Sequence, residues 1–278
     1  MSFLCDFKVI LSNKVSRYFV IKKKKEFMDI LKIIWYIYFF RSLMKRLYLP
    51  IIEINKDKQI ILEDNYFINY IKNVLRYQID EKIIILSNRV NYFVKIEVIS
   101  KRKIVFKILR REDIPKKDSS ITLIQSIFKW ERFEWMLEKV VELGVDRIIP
   151  VITNRTTTKV HKWDSRVKRF EKIIYKALTQ SHQNIVPEIM EPIKLSDLTI
   201  KGERIFFDTV DDIPIFNGDS LNKNDISIFI GPEGGINNLE RELLKEKGFK
   251  QYRLNLPILR AETAAIISVA IINMRFNK

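Results

Sequence analysis

The order of apolar and polar positions predicts two kinds of structure along the chain. Residues 44–115 consist of short apolar runs separated by polar turns, with a single helical stretch that Asp64 can cap. Several short strands with one helix favour a small β-barrel. The predicted strands are Arg46–Ile51, Gln59–Leu62, Lys82–Ser87, Tyr92–Ile99 and Lys103–Leu109.

From residue 118 to residue 278, strands alternate with amphipathic helices, which predicts a parallel α/β sheet. One helix carries apolar side chains from Phe133 to Val141 and ends at Gly144, a residue type that commonly terminates helices. The linker between the two parts is placed in the charged, proline-broken stretch Arg110–Asp118. The other predicted elements are the strands Ser120–Phe128, Asp146–Ile152, Arg204–Asp208, Ile226–Ile230 and Lys250–Leu254, and the helices Asp164–Ser181 and Asn237–Lys247.

Two of these strands end in unusual loops. The apolar run Ile226–Ile230 stops at Gly231-Pro232-Glu233-Gly234-Gly235, where glycine permits positive φ and close approach of the backbone to a ligand. Asn237 and Glu240 have the spacing of a capping pair at the start of the following helix. A second strand is followed by a sharp turn at Pro257 and an alanine-rich helix. Two such crossings predict a ligand crevice at the carboxyl ends of the strands, although a glycine-rich loop is also compatible with a plain tight turn.

Composition narrows the choice of function. The chain has one cysteine, Cys5, and two histidines, so it has no internal disulfide, a reducing compartment is favoured, and we expect no metal site. The formal net charge is +16, most of it in the first 115 residues. A basic surface attracts polyanions such as nucleic acid, but a lysine-rich proteome would give the same balance.

Several motifs together resemble the RsmE family, the 16S rRNA (uracil(1498)-N(3))-methyltransferases of the SPOUT class. The resemblance covers the chain from about Met44 to its end. Thr179, Gln183, Asn255 and Pro257 depart from the family pattern. The motifs are Gly231-Pro232-Glu233-Gly234-Gly235, Ile258-Leu259-Arg260-Ala261-Glu262-Thr263-Ala264, Lys129-x-Glu131-Arg132-x-Glu134, Lys139–Val145, Asn154-Arg155-Thr156, and Gln180-Ser181 with Val186-Pro187.

The resemblance implies a fold and an activity that the pattern alone does not supply. The fold is a PUA-like β-barrel, residues 44–115, followed by a SPOUT-type parallel sheet, residues 118–278, with a C-terminal trefoil knot. The activity is transfer of a methyl group from S-adenosylmethionine to N3 of a uridine in 16S ribosomal RNA, free or in the small subunit. The implied protein is a cytoplasmic homodimer that takes part in ribosome biogenesis.

The chemistry of the implied reaction suggests roles for particular residues. Arg260 is expected to stabilise charge on the uracil, with Glu262 orienting it or assisting proton removal; a purely structural ion pair between the two is the alternative. The residues expected to bind the cofactor are Gly231, Pro232, Glu233, Gly234, Gly235, Leu254, Leu256, Ile258 and Leu259. The residues expected to contact RNA are Lys129, Arg132, Arg155, Arg89 and Arg102.

Residues 1–43 fit neither part. Lys22–Lys25 form a basic run, and the apolar run Ile33–Phe40 is far shorter than the roughly 20 residues that span a bilayer. An over-long start before Met44, an accessory amphipathic segment and a weak membrane anchor are the three interpretations. We expect the first, and no integral membrane association.

Two other functions remain open from the sequence. One is another SPOUT reaction, such as methylation of a ribose 2′-oxygen. The other is a non-catalytic RNA-binding factor in ribosome assembly that kept the fold. The last helix is compatible with a dimer interface, since it combines Ala264, Ala265, Ser268 and Ala270 with four isoleucines, and equally with packing on its own sheet.

Overall fold

A computed structural model describes residues 44–276, except 51, 162, 219, 220 and 222–224. The predictions for residues 1–43 lie outside the described residues. From Arg46 onward the chain forms one compact unit that contains two β-sheets.

The first sheet has six strands in the order β1-β4-β5-β6-β3-β2, and every neighbouring pair is antiparallel except β1 with β4. Helix α1, Asn65–Asn69, begins after Asp64, whose carboxylate accepts a hydrogen bond from the Phe67 amide, and continues as a π-helical turn over Tyr70–Leu75. The strands are β1 Arg46–Tyr48, β2 Glu53–Ile54, β3 Gln59–Leu62, β4 Lys82–Ser87, β5 Val90–Ile99 and β6 Ile104–Asp113.

The second sheet is entirely parallel, as the alternation of strands and helices predicts. Its order is β10-β8-β7-β12-β11-β13, with β9 beside β8. The strands are β7 Ser120–Ser126, β8 Arg147–Ile152, β9 Glu188–Ile189, β10 Ile193–Lys194, β11 Glu203–Phe207, β12 Asp225–Ile230 and β13 Lys250–Tyr252. The helices are α2 Trp130–Glu142, α3 Trp163–Ser181, α4 Asn238–Glu246 and α5 Ala261–Phe276, with a 3₁₀ turn at Leu195–Asp197.

Neighbouring residues of a strand point to opposite sides of the sheet, and helices cover both of these faces. Leu123 of β7 packs into the core that also contains residues of α2, α3 and α5. The next residue, Ile124, packs into a second core with Leu244 of α4. Because all strands of this sheet are parallel, their carboxyl ends lie at one common edge.

The two sheets contact each other through β1 and α3. The Tyr48 ring lies 5.0 Å from the Tyr175 ring, and the Tyr48 amide donates to the Thr179 hydroxyl at 3.3 Å. Burial, together with the nearby Tyr175 and Glu171, raises the pKa of the Tyr48 phenol to about 12. Tyr48 therefore packs as a neutral side chain between the sheets.

The linker prediction was too long at its start. Arg110–Asp113 belong to β6, where they pair with β5, and the Arg110 guanidinium lies 4.0 Å from the centre of the Phe93 ring. The charged residues at the end of β6 are mostly exposed, so the strand can continue through them without burying charge. A polar pattern of this kind does not reveal a strand. The connection between the sheets is then only 114–119; the domain limits proposed from sequence stay a prediction.

Among the residues described, no helix is both long and apolar enough to cross a bilayer. Nor does that part of the chain contain a group of three or more histidine, cysteine or acidic side chains placed to hold a metal ion.

Candidate active site

Four loops meet at the carboxyl edge of the second sheet, and we call the region between them the crevice. They follow β7, β8, β12 and β13 and comprise residues 127–129, 153–157, 231–237 and 253–260. Parallel pairing of β7 with both β8 and β12 places three of these loops side by side. The helix α5 that follows the fourth loop packs on α2 and on β7 and β12.

The glycine-rich loop is a tight turn with a specific neighbour. The Gly235 amide donates to the Pro232 carbonyl at 2.9 Å, and Gly235 has a φ of +68°, which favours glycine. The Arg155 guanidinium donates to the Gly234 carbonyl, and a Cβ at Gly234 would make an ordinary contact of 3.4 Å with Arg155 Cδ. The arginine therefore lies directly on this loop.

Helix α4 begins with the predicted capping pair, and the pair does more than cap. Asn237 Oδ1 accepts from the Glu240 amide at 2.8 Å, and Glu240 Oε2 accepts from the Asn237 amide at 3.0 Å. The other oxygen, Oε1, accepts from the Asn154 amide at 2.7 Å. Glu240 is buried, and it fixes the loop after β8 to the start of α4.

Arg132, near the start of α2, lies between two carboxylates. Its guanidinium forms an ion pair with Glu233 of the glycine-rich loop, and its Nε lies 3.9 Å from Glu262 Oε1 on α5. The Glu233 side chain is 42% exposed, whereas that of Glu262 is 6% exposed. Arg132 thus joins the glycine-rich loop to the first turn of the last helix.

The loop from Leu254 to Leu259 has few internal contacts. Its backbone makes no hydrogen bond to any residue that the structure describes. Two of its apolar side chains are exposed, Leu256 at 49% and Ile258 at 86%. Free backbone amides and carbonyls beside exposed apolar groups are the donor and acceptor set that a nucleoside ligand requires.

The two residues predicted to be catalytic lie together at the start of α5 but do not pair. Glu262 faces Arg132, and no ion pair joins Glu262 to Arg260 among the described residues, so the alternative of a structural pair between the two is not supported; their catalytic roles stay predictions. The exposed Arg260 guanidinium makes no hydrogen bond or ion pair with any described residue. Glu262 Oε2 is buried and also lacks a hydrogen-bond partner within the described part of the chain. The crevice therefore holds an unpartnered cation and an unpartnered carboxylate oxygen.

The residues predicted to contact RNA fall into two groups. Lys129 is exposed beside the crevice, where Arg132 and Arg155 are already engaged by protein groups. Arg89 and Arg102 lie on hairpin turns of the first sheet, outside the crevice. The three crevice residues and the two hairpin residues therefore cannot contact the same nucleotide; their RNA contacts stay predictions.

Sequence reasoning missed one polar side chain at this edge, Gln125, and the contacts of another, Asp208. Gln125, fully buried at the end of β7, donates from Nε2 to the Ile230 carbonyl at 3.3 Å. Asp208, after β11, accepts from Arg241 at 2.6 Å and from Gln251 at 3.1 Å. A glutamine within an otherwise apolar run was the signal for the first. The partners of Asp208 are over 30 residues away, and no local signal reveals them.

Comparison with known proteins identifies the family. Residues 115–273 match the family model of an RNA methyltransferase domain, and residues 68–109 match that of an RNA methyltransferase PUA domain. Ribosomal RNA small subunit methyltransferase E from Aquifex aeolicus is 30% identical over 205 residues, 73% of this chain and 89% of the relative. The chain belongs to the ribosomal RNA small subunit methyltransferase E (RsmE) family. The resemblance deduced from the motifs is confirmed.

Further members agree with the assignment to the RsmE family. Ribosomal RNA small subunit methyltransferase E 2 from Borreliella burgdorferi is 33% identical over 221 residues, 76% of this chain and 89% of the relative. The crystal structure of the Neisseria gonorrhoeae family member, which has S-adenosylmethionine bound, aligns with a TM-score of 0.73 at 27% identity, covering 84% of this chain and 98% of that chain. The predicted α/β class with a parallel sheet and a PUA-like domain is confirmed.

Proposed function

We propose that this protein transfers the methyl group of S-adenosylmethionine to N3 of a uridine in 16S ribosomal RNA, the activity that the RsmE family name implies. Membership of the RsmE family and the bound S-adenosylmethionine in the Neisseria gonorrhoeae structure support the reaction class. The observation that carries the proposal is the crevice, where an unpartnered Arg260 lies beside loops with free backbone groups.

The loop residues fit the cofactor. S-adenosylmethionine, when bound, supplies an electrophilic methyl group and presents an adenine whose polar edge needs donors and acceptors. The unpaired backbone of Leu254–Leu259 can provide both, and Leu256 and Ile258 offer apolar contact to the rings. The turn Gly231–Gly235, held by Arg155 and Arg132, is assigned to the other wall of the cofactor site. The predicted cofactor residues Gly231, Pro232, Glu233, Gly234, Gly235, Leu254, Leu256, Ile258 and Leu259 all lie in these two loops.

Arg260 and Glu262 are assigned to the base. N3 of uracil is a weak nucleophile until it loses its proton, and the resulting negative charge spreads onto the neighbouring oxygens. The Arg260 guanidinium, which has no partner within the described part of the chain, is available to stabilise that charge. Glu262 Oε2 has an open acceptor position for the proton. Because N3 is buried in a base pair, the uridine must be presented unpaired or flipped out.

The direct test is methyl transfer by the purified protein to unmodified small-subunit ribosomal RNA, followed by digestion and mass spectrometry of the nucleosides. We expect 3-methyluridine, in which the base fragment carries the added methyl group. A methyl group on the ribose fragment would establish the 2′-O reaction instead. Absence of any methylated nucleoside, with RNA binding intact, would favour a non-catalytic assembly factor.

Replacing Arg260 tests the chemical assignment. We expect Arg260→Ala to lower the single-turnover rate by about 10²- to 10³-fold, the usual effect of removing one group that stabilises charge in a transition state. Calorimetric affinity for S-adenosylmethionine should be unchanged. Arg147→Ala is the control, since Arg147 pairs with Glu188 at the opposite edge of the sheet. An Arg260→Ala protein with the wild-type rate would remove Arg260 from the mechanism.

Four finer properties belong to the same proposal. The C-terminal trefoil knot is supported by the path of the chain, which runs from the edge strand β13 back to α5 against the central strands β7 and β12. The division at residues 44–115 and 118–278 is supported by the two separate sheets. A homodimer, and a cytoplasmic role in ribosome biogenesis, are supported by membership of the RsmE family.

A further inference from the structure

A second recess lies near the carboxyl end of α2, the helix that begins beside the crevice. A cavity of about 270 Å³ lies between the first sheet and the segment that follows α3. Asn88 and Arg89 line one side, and Asn184 and Val186 line the other. Gln183 donates to the Glu142 carbonyl at the end of α2, at 3.0 Å, whereas Arg132 at the start of α2 belongs to the crevice. Thirteen helical residues separate the two regions by about 20 Å.

The cavity presents hydrogen-bond donors that have no partner among the residues that the structure describes. Asn184 Oδ1 accepts from Arg46 at 2.7 Å, which fixes the amide and directs its Nδ2 group away from that bond. Neither Asn184 Nδ2 nor the Asn88 side chain bonds to a described residue, and Arg89 uses one N–H group, on the Pro115 carbonyl at 2.8 Å. None of the lining residues is acidic. The cavity therefore suits a ligand rich in oxygen acceptors.

The backbone beside the cavity is held in an uncommon conformation. Asn88 and Arg89 form the two-residue turn between β4 and β5 with φ of +44° and +60°, and nearby His182 has a φ of +59°. Asn-Gly is the favoured pair for such a turn, and a side chain in the left-handed region is strained. Arg89 thus occupies a position where glycine would relieve strain, and it lines the cavity.

We propose that this cavity binds one unpaired nucleotide of the RNA substrate, at a distance from the methylated base. The inference rests on the proposed function, which makes the substrate an RNA. Proteins recognise RNA sequence chiefly through unstacked bases, whose carbonyls accept hydrogen bonds from side-chain amides. The volume lies just below the range of about 300–1,000 Å³ typical for drug-sized ligands, so one base fits and a dinucleotide does not. Arg89, which lines the cavity, supplies positive charge for the phosphate.

Two variants of the full chain separate this role from a structural one. Arg89→Gly creates the favoured Asn-Gly turn and removes one exposed hydrogen bond. The melting temperature should therefore fall by no more than the small amount that the loss of this bond causes. Asn184→Asp keeps the oxygen that Arg46 contacts but replaces the free donor by a carboxylate oxygen. The matched control is Lys58→Gly, which also removes an exposed cation from a left-handed position of the first domain, with a φ of +56°, but does not line the cavity.

The measurement is direct binding of unmodified small-subunit ribosomal RNA by fluorescence anisotropy at several salt concentrations. We expect affinity to fall about tenfold for Arg89→Gly and at least as much for Asn184→Asp, against less than twofold for Lys58→Gly. Arg89→Gly should also reduce the salt slope by about one. Affinity for S-adenosylmethionine, measured calorimetrically, should stay constant throughout.

The outcomes distinguish this inference from the proposed function. If both cavity variants bind RNA as Lys58→Gly does, the cavity is not a nucleotide site, even when methyl transfer by the wild type is normal. If Arg89→Gly is destabilised, the RNA affinity of Asn184→Asp alone decides whether the cavity binds a nucleotide. A wild-type protein that binds RNA but does not methylate it would contradict the proposed function while leaving the cavity assay valid. No RNA binding by the wild type would overturn both.

Discussion

At the residue scale, Arg132 changes the interpretation of the crevice. The sequence predicts it as an RNA contact, because it is a basic residue in a segment that resembles the RsmE pattern. In the structure its guanidinium lies between Glu233 and Glu262. A buried carboxylate is costly unless a cation lies nearby, and Arg132 is the cation next to Glu262 among the described residues. Its first role is then to hold two acidic groups and the elements that carry them.

This role predicts a coupled effect on stability. Arg132→Ala should lower the free energy of unfolding by roughly 3 kcal/mol, since it leaves Glu262 buried without a nearby cation. Glu262→Gln in the same background should recover part of that loss, because an amide needs no counter-charge. Urea denaturation of the two single variants and the double variant measures the coupling. Arg147→Ala, which breaks an exposed ion pair, should cost less than about 1 kcal/mol. Strictly additive effects of the two changes would show that Arg132 does not support Glu262.

The contact between Arg132 and Glu233 could not be predicted from the sequence. Arg132 and Glu233 are 101 residues apart, and they meet only because β7 and β12 are neighbours in the sheet. The motifs place both residues in segments that match the RsmE pattern but say nothing of their contact. Arg260 and Glu262 show the opposite case. They are two positions apart, and this short spacing suggests a contact, but the direction of the side chains does not allow it.

At the element scale, the turns at the carboxyl edge follow closely from local sequence. Glycines and prolines end the strands, and the spacing of Asn237 and Glu240 is itself the capping signal, so the loop and the start of α4 were predictable. The contact of Glu240 with the loop after β8 was not, because it depends on which strands are neighbours. Glu240 therefore combines a local role with a long-range one, and replacing it separates the two.

Glu240→Ala should destabilise the protein more than Asn237→Ala does. Loss of the Asn237 cap costs about 1 kcal/mol. Loss of Glu240 leaves the backbone amides of Asn154 and Asn237 unpaired, which costs about 1–3 kcal/mol for each amide that stays buried. Because Glu240 also fixes the loop that carries Arg155, affinity for S-adenosylmethionine should fall several-fold in Glu240→Ala. Calorimetry and urea denaturation measure these effects. Equal losses in the two variants would mean that the bond to Asn154 contributes nothing.

At the scale of the whole molecule, the two-part organisation was predictable and the path of the chain was not. The sequence pattern alone distinguishes the two sheets, since short strands predict the first sheet and alternating strands and helices predict the second. The order of the parallel strands has no such signature, since β7, β8, β11 and β12 are all buried apolar runs. Ordinary connection rules also disfavour threading, so the knot stays an inference from family membership and from the return of α5 to the centre of the sheet.

The proposed homodimer concerns the surface of α5, which is apolar on nearly all sides. Its inner face is buried, with Ala265, Val269 and Ile272 in the core, yet Met274 on the same helix is 69% exposed. A helix that is apolar all round is normally covered on both sides. A second copy of the chain is the partner that membership of the RsmE family favours, and the helix is about 24 Å long, enough to form the centre of an interface.

Met274→Glu should therefore convert the dimer to a monomer, because the new carboxylate would have to be desolvated in an apolar contact. Light scattering after size-exclusion chromatography measures the mass, and the first domain supplies a control in Val74→Glu, whose apolar side chain is also exposed, at 64%. The melting temperature of Met274→Glu should fall and become independent of protein concentration, since only the dimer gains stability by mass action. A wild-type protein that is monomeric at micromolar concentration, or a Met274→Glu dimer, would move the interface away from α5.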